Sequence, residues 1–415
     1  MISAHLSRYI DPGTGSMLFT LLIGLVTTGY FFLRKMLISI RVMLSGSNAR
    51  LVDEGKLPFV VFADHKRYWN IFKPICDEFE RRGVELRYWT ASPDDPALDE
   101  DYEHVVCEFI GEGNKAFARL NMMSANVVLS TTPGLDVLQW KRSKNVDCYV
   151  HILHALGTAA GYRMFGLDFY DAVLLSCDFQ ADEIRTLEEL RKLPPKELEI
   201  VGCTYLDIMA ERAETLAPVR NEHPCVLLAP SWGESAILSV YGKEVIDALL
   251  ATGYDIVIRP HPQSMTAEKK LLDSLMAAYP DGESLSWNFD NDNFEVLHRA
   301  DIMISDFSGV VLDYALIFDK PVISTQSTLD NAVYDSAWLD GPLWTSAIYA
   351  ALGPELSRDQ FPRMRAVIDE VIADTALAEG RARARRQTWA FQGESVARTV
   401  DYLIGKHDEL VNPSE

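Results

Sequence analysis

The chain has little of what a metalloprotein, a redox protein or a nucleic-acid binder needs. Its 415 residues hold only six cysteines, Cys76, Cys107, Cys148, Cys177, Cys203 and Cys225, widely spaced, with no C-x-x-C pair and no metal-ligand cluster. Reduced thiols facing the cytosol are expected, and no metal or other cofactor. Positive charge is also scarce: 39 Lys and Arg stand against 60 Asp and Glu, a formal net charge of -21. Nucleic acid is excluded as a partner, because a binder needs a basic surface to displace counterions. A phosphate-bearing substrate would have to be held by a local cationic pocket. No internal repeat and no low-complexity tract breaks the sequence. What remains is 48% apolar and 24% charged, a globular composition, and a length that suggests two to three domains.

One long apolar run is present, at the N-terminus. Residues 17 to 33 contain no ionisable side chain other than Tyr30, and Arg34, Lys35 and Arg41 follow. The run is at the short end of the ~20 residues that cross a bilayer. A single spanning helix is the preferred reading, with an interfacial or re-entrant helix and a core helix as the alternatives. Basic residues on its C-terminal flank put the remainder on the cytoplasmic side of the cell membrane, and 36–44 is a basic, amphipathic stretch suited to the inner surface. Residues 1–50 are therefore assigned as anchor and juxtamembrane segment.

From Pro58 onward, apolar strands alternate with helical stretches. Strands are expected at 59–64, 85–90, 104–110, 126–133, 148–157, 171–177 and 198–205, with helices at 66–83 and 181–193. The polar link 218–224 then separates a second series: a strand at 225–232, a helix at 243–252, a strand at 254–260 and a helix at 266–279. A basic helix and a second, amphipathic one, broken at Gly393, close the chain. Such alternation implies parallel sheets with right-handed crossovers. The expectation is two facing Rossmann-like domains, 57–217 and 224–405, with a ligand cleft where the carboxyl ends of their strands meet.

Two motifs point to that cleft. In ADIMISDFSGVVLDYALIF (300–318) a short apolar strand runs into the turn Ser305, Asp306, Phe307, Ser308, Gly309 and then a helix. That order presents free N–H groups and the positive end of a helix dipole, where a pyrophosphate is stabilised. Ser305 and Ser308 can donate hydroxyl hydrogen bonds, Gly309 allows close approach, and Asp306, a carboxylate that would repel phosphate, is given the task of holding the turn. In IRPHP (258–262) prolines on both sides make a rigid strand exit that carries Arg259, a planar phosphate donor, and His261.

The stretches LLAPSW (227–232), IRPHP (258–262), DIMISDFSGVVLDYALIFDKPVI (301–323) and FQGESVARTVDYLI (391–404) resemble the CDP-glycerol glycerophosphotransferase family, the teichoic-acid primases and polymerases. The likeness covers about 180 residues of the C-terminal half. It implies a membrane-associated transferase of GT-B fold. The donor would be a CDP-activated polyol, the acceptor a lipid-linked or glycan hydroxyl in cell-envelope polysaccharide synthesis. By the same resemblance Arg259, His261, Ser305, Asp306, Ser308 and Gly309 would surround the donor pyrophosphate. The family's general-base histidine lies in a His-Gly-Thr-Pro stretch; here HALGTAAGYRMFG (154–166) has two residues between His154 and Gly157, no proline after Thr158, and Arg163 where a lysine is expected. His154, at the strand exit, is the preferred base and His151 the alternative. A GT-B glycosyltransferase or nucleotide-sugar epimerase would use a similar cleft with a sugar donor, and a non-catalytic membrane scaffold, suggested by the altered stretch after His154, is the third reading.

Overall fold

The computed structural model describes residues 56–290, 292–325, 331–341 and 343–413, with Trp344 described by its backbone alone. The apolar run at 17–33 and the expected anchor lie outside these residues. Among the described residues no helix is long and apolar enough to cross a membrane. Residues Lys56–Glu415 form one compact unit.

Runs such as Phe59-Val-Val-Phe-Ala are apolar at every position because both faces of their sheet are covered, as parallel sheets require. Phe59, Val61 and Ala63 enter one core and Val60 and Phe62 another on the opposite face. The first sheet is parallel, in the order β3-β2-β1-β4-β5-β6-β7. Its strands are β1 (Leu57–Ala63), β2 (Leu86–Thr90), β3 (Val105–Phe109), β4 (Ser124–Ser130), β5 (Asn145–Ile152), β6 (Ala172–Leu175) and β7 (Glu197–Ile200). The second sheet runs β10-β9-β8-β11-β12-β13 and is parallel too. It is built from β8 (Cys225–Leu228), β9 (Asp255–Ile258), β10 (Leu285–Trp287), β11 (Ile302–Ser305), β12 (Val322–Thr325) and β13 (Glu355–Leu356). In both, the chain starts near the middle, winds outward, then returns to the other side. This leaves a switch point between β1 and β4 and another between β8 and β11, where a crevice opens at the carboxyl ends of the strands.

The helices that matter for the cleft are α1 (Trp69–Arg82), α2 (Asp178–Arg191), α3 (Thr204–Glu214), α4 (Val310–Ile317), α5 (Leu377–Thr388) and α6 (Ser395–Val411). The strand expected at 198–205 ends at Ile200, and Thr204 opens α3 instead. The final helix returns to the first sheet: Val400 and Leu403 are buried with Phe72, Phe79 and Val127, and Asp401 pairs with Arg82 at 2.6 Å. Asp207 of α3 fastens this return by accepting hydrogen bonds from Trp389 Nε1 at 2.8 Å and Ser395 N at 3.0 Å.

The two halves also meet through a buried ion cluster. Arg191, at the end of α2, lies 2.6 Å from Asp168 and 2.5 Å from Asp335, with side-chain exposures of 4%, 8% and 1%. Asp335 accepts the N–H groups of Phe165 and Gly166, and Met164 N donates to Val333 O. Segment 331–338 of the second half is thereby bound to loop 162–168 of the first. The Arg191 guanidinium also lies 5.0 Å from the ring centroid of Phe165 and 5.1 Å from that of Trp338.

Candidate functional site

Both switch points open into one cleft of about 1400 Å³, larger than the usual ~300–1,000 Å³ of a small-molecule pocket and roomy enough for a donor and an acceptor together. From the second sheet it is lined by the exits of β8 (Ala229 to Trp232), β9 (Arg259 to Gln263) and β11 (Asp306 to Gly309). Asp64, Arg67, Tyr68, Thr132, Pro133, His154, Gly157, Thr158 and Tyr162 line it from the first.

The β11 exit takes the expected strand-turn-helix form. Gly309 stands at the N-terminus of α4 with φ of -58, and a side chain there would meet nothing within 4 Å, so open space lies before the helix N–H groups. Ser308 lines the same space. Asp306 is 2% exposed and accepts Ser231 N at 2.8 Å and Ile237 N at 3.0 Å. Its carboxylate thus pins the β8 exit loop to the β11 exit loop, and burial pushes its pKa up to about 6. Ser305 differs from the expectation of a phosphate donor. It is fully buried, its hydroxyl donates to Ala229 O at 2.6 Å, and it is not part of the cleft wall. A serine that is the last residue of a central strand has neighbouring backbone, not solvent, to bond.

Arg259 and His261 both reach the cleft. The Arg259 guanidinium is braced by Asn288 and by Asp290 O. His261 accepts the N–H of Gln263 on Nδ1 at 3.1 Å, and burial, with a smaller effect of Arg67, lowers its pKa to about 4.

Across the cleft, the apolar pattern at 148–157 overruns the strand: β5 ends at Ile152 and His154 stands in a loop whose Leu153 and Leu156 are nonetheless buried. His154 lines the cleft; His151 is fully buried behind it and is not part of the wall. The loop after His154 is gripped by α2. Gln180 Nε2 donates to Gly157 O at 2.8 Å, and Glu183 accepts Thr158 Oγ1 and Ala159 N at 2.8 Å each. Burial, then Arg67, holds the His154 pKa down to about 4.

Three contributors were not singled out by motif. Arg67, just past β1, lines the cleft and is the charge that depresses both cleft histidines. Its signal was the polar run Asp64-His-Lys-Arg at a strand exit. Thr131 contacts His154 Nδ1 at 2.8 Å. Asp313 is the lone acid in the apolar α4 and lines the cleft; among the described residues its carboxylate meets no hydrogen-bond donor, and burial pushes its pKa up to about 7 from 3.8. A carboxyl whose folded pKa is raised stabilises most below the unfolded value, and that stability is lost as pH rises through the folded value. Asp313→Asn is therefore expected to gain Tm over the parent chain, by a margin that widens from pH 5 to pH 8 in a thermal-melt series. Among the described residues no group of acidic, histidine and cysteine side chains is placed to hold a metal ion.

Comparison with known proteins fits this geometry. Residues 204–337 match the family model described as CDP-Glycerol:Poly(glycerophosphate) glycerophosphotransferase. No curated protein matches the sequence. Among solved structures, the wall teichoic acid polymerase TagF with CDPG superposes at a TM-score of 0.55 and 15% identity, covering 92% of this chain and 98% of that one. A putative UDP-N-acetylglucosamine 2-epimerase from Listeria monocytogenes gives 0.56 at 12% identity, covering 87% and 98%. The UDP-GlcNAc 2-epimerase from Neisseria meningitidis gives 0.52 at 11%, covering 84% and 99%. At such identities the structures establish the fold, which is GT-B. The resemblance read from the C-terminal motifs is borne out over the matched segment: the chain is a GT-B transferase that carries the CDP-glycerol glycerophosphotransferase signature at residues 204–337.

Proposed function

We propose that the protein transfers a glycerophosphate, or a related polyol phosphate, from a CDP-activated donor to a hydroxyl of a lipid-linked or glycan acceptor. The observation that carries this reading is the meeting of a helix N-terminus, Arg259 and His261 with His154 across a single cleft. The acceptor O–H gives its proton to His154 as its oxygen bonds to the donor's β-phosphorus. The bond from that phosphorus to the bridging oxygen breaks, and CMP leaves with the electron pair. Negative charge gathering on the pyrophosphate is met by Arg259, His261 and the free N–H groups at Ser308 and Gly309. Arg67, beside both histidines, supplies a further positive charge, and Asp313 is suited to accept hydroxyls of the nucleoside sugar. The matched family and the likeness to TagF with CDPG support a CDP-linked donor.

The same reading places the catalytic unit on the cytoplasmic face of the cell membrane, with residues 17–33 as its anchor. The fold shared with UDP-GlcNAc 2-epimerases favours a sugar nucleotide as the second reading. The two part in a donor screen of the full chain. Release of CMP from CDP-glycerol or CDP-ribitol, with CMP- and UDP-sugars left intact, is the expected result. Turnover confined to UDP-sugars would overturn the first reading.

A further inference from the structure

The parallel register of β4 and β5 sets Ser130 opposite His151, so the residue after β4, Thr131, stands beside the exit that carries His154. Thr131 Oγ1 is 2.8 Å from Ile152 O and 2.8 Å from His154 Nδ1. A carbonyl oxygen only accepts, so the single hydroxyl proton is committed to Ile152. A lone pair is what Thr131 then turns toward the ring, and a contact this short is attractive only when Nδ1 bears the hydrogen. Neutral His154 consequently has its lone pair on Nε2. Tyr162 Oη, at 3.4 Å from the same Nδ1 and 3.1 Å from His151 Nε2, is the longer and weaker neighbour and can accept alongside Thr131.

His261 is constrained the opposite way. Its Nδ1 faces the backbone N–H of Gln263, and an amide only donates. Nδ1 is therefore bare and the neutral ring carries its proton on Nε2. Both rings are neutral near pH 7, since burial and Arg67 depress each to about 4.

We propose that these fixed donors and acceptors preset the two cleft histidines as opposite tautomers, His154 as a proton acceptor through Nε2 and His261 as a hydrogen-bond donor through Nε2, with Thr131 the positioning residue that imposes the first. The roles rest on the transferase reading given above; the tautomers do not. Thr131 is fully buried and is not part of the cleft wall, so it acts only through His154. The wrong tautomer would offer an acceptor hydroxyl a proton instead of a lone pair, and the ring would have to turn over before each transfer.

The test is nitrogen NMR of the full chain labelled with 15N-histidine, where nitrogen-to-carbon-proton couplings distinguish the two neutral tautomers. His154 and His261 are assigned by the signals lost in His154→Gln and His261→Gln. Nδ1–H for His154 and Nε2–H for His261 are expected, and Nε2–H or a mixture at His154 in the parent protein overturns the proposal. Thr131→Val, which keeps shape and loses the oxygen, is expected to release His154 into a mixture. It should also lower kcat for CMP release about 10–100-fold, with donor KM within about twofold, and Thr131→Ser should restore both. A Thr131→Val protein whose His154 keeps the parent tautomer would equally overturn it. Because the spectra need no turnover, failure of the CDP-donor reading and failure of the tautomer assignment are told apart.

Discussion

His154→Ala is expected to reduce transfer by about 10²–10⁴-fold, the usual contribution of a positioned general base. The half of the cleft proposed to hold the donor is built from other strands, so donor affinity should persist: a thermal shift with CDP-glycerol retained in the variant, alongside lost CMP release, is the expected pair of results. His154 packs by its ring against Tyr68, with centroids 5.2 Å apart, and Tyr68 lies next to Arg67 in sequence. Loss of the ring therefore also loosens the loop that carries the cleft's exposed cation. His151 offers the contrast. Fully buried and T-shaped against Tyr162 and Tyr170, it should cost stability when replaced, and full transfer by His154→Ala would remove that residue from the mechanism.

Arg191→Ala carries the largest expected effect on stability. The substitution leaves Asp168 and Asp335 facing one another, nearly enclosed, and breaking such a buried pair costs about 3–5 kcal/mol. Burial already pushes the Asp335 carboxyl up, with Arg191 the main opposing influence. Without the guanidinium the Asp335 carboxyl, already pushed up by burial, is freer to take up a proton, so the loss should be smaller at pH 5 than at pH 8. Urea unfolding of the two proteins at both pH values checks this. Equal losses would mean that packing against Phe165 and Trp338, and not charge, is what Arg191 supplies.

Much of the fold could be read from the chain because buried parallel strands write themselves as unbroken apolar runs. Phe59 to Ala63, Ala172 to Leu175 and Ile302 to Ile304 are such runs, and each became a strand with neighbours on both sides. Ends were less legible. His154 to Gly157 looked like strand because Leu153 and Leu156 are apolar, yet those two leucines fill the core from a loop. Thr204 to Glu214 escaped for the converse reason: α3 begins with Thr-Tyr, a β-prone pair, and its helical periodicity comes after.

The second-sheet wall of the cleft was legible where chemistry and local shape coincide: Arg259, His261, Ser308 and Gly309 all line it. Ser305 shows where this stops, since one residue of strand decides whether a hydroxyl faces backbone or cleft. Arg67, Thr131 and Asp313 have no motif, because each matters through partners far away in sequence. Strand pairing within the first sheet sets Thr131 beside His154, and the shared cleft brings Arg67 and Asp313 to its wall.

The return of α6 to the first sheet makes the second half an excursion within the first. Val400 and Leu403 complete a core begun by Phe59 and Phe72, so a ribosome must deliver nearly the whole chain before the earliest strands can be sealed. The half that is synthesised first is the half that is finished last.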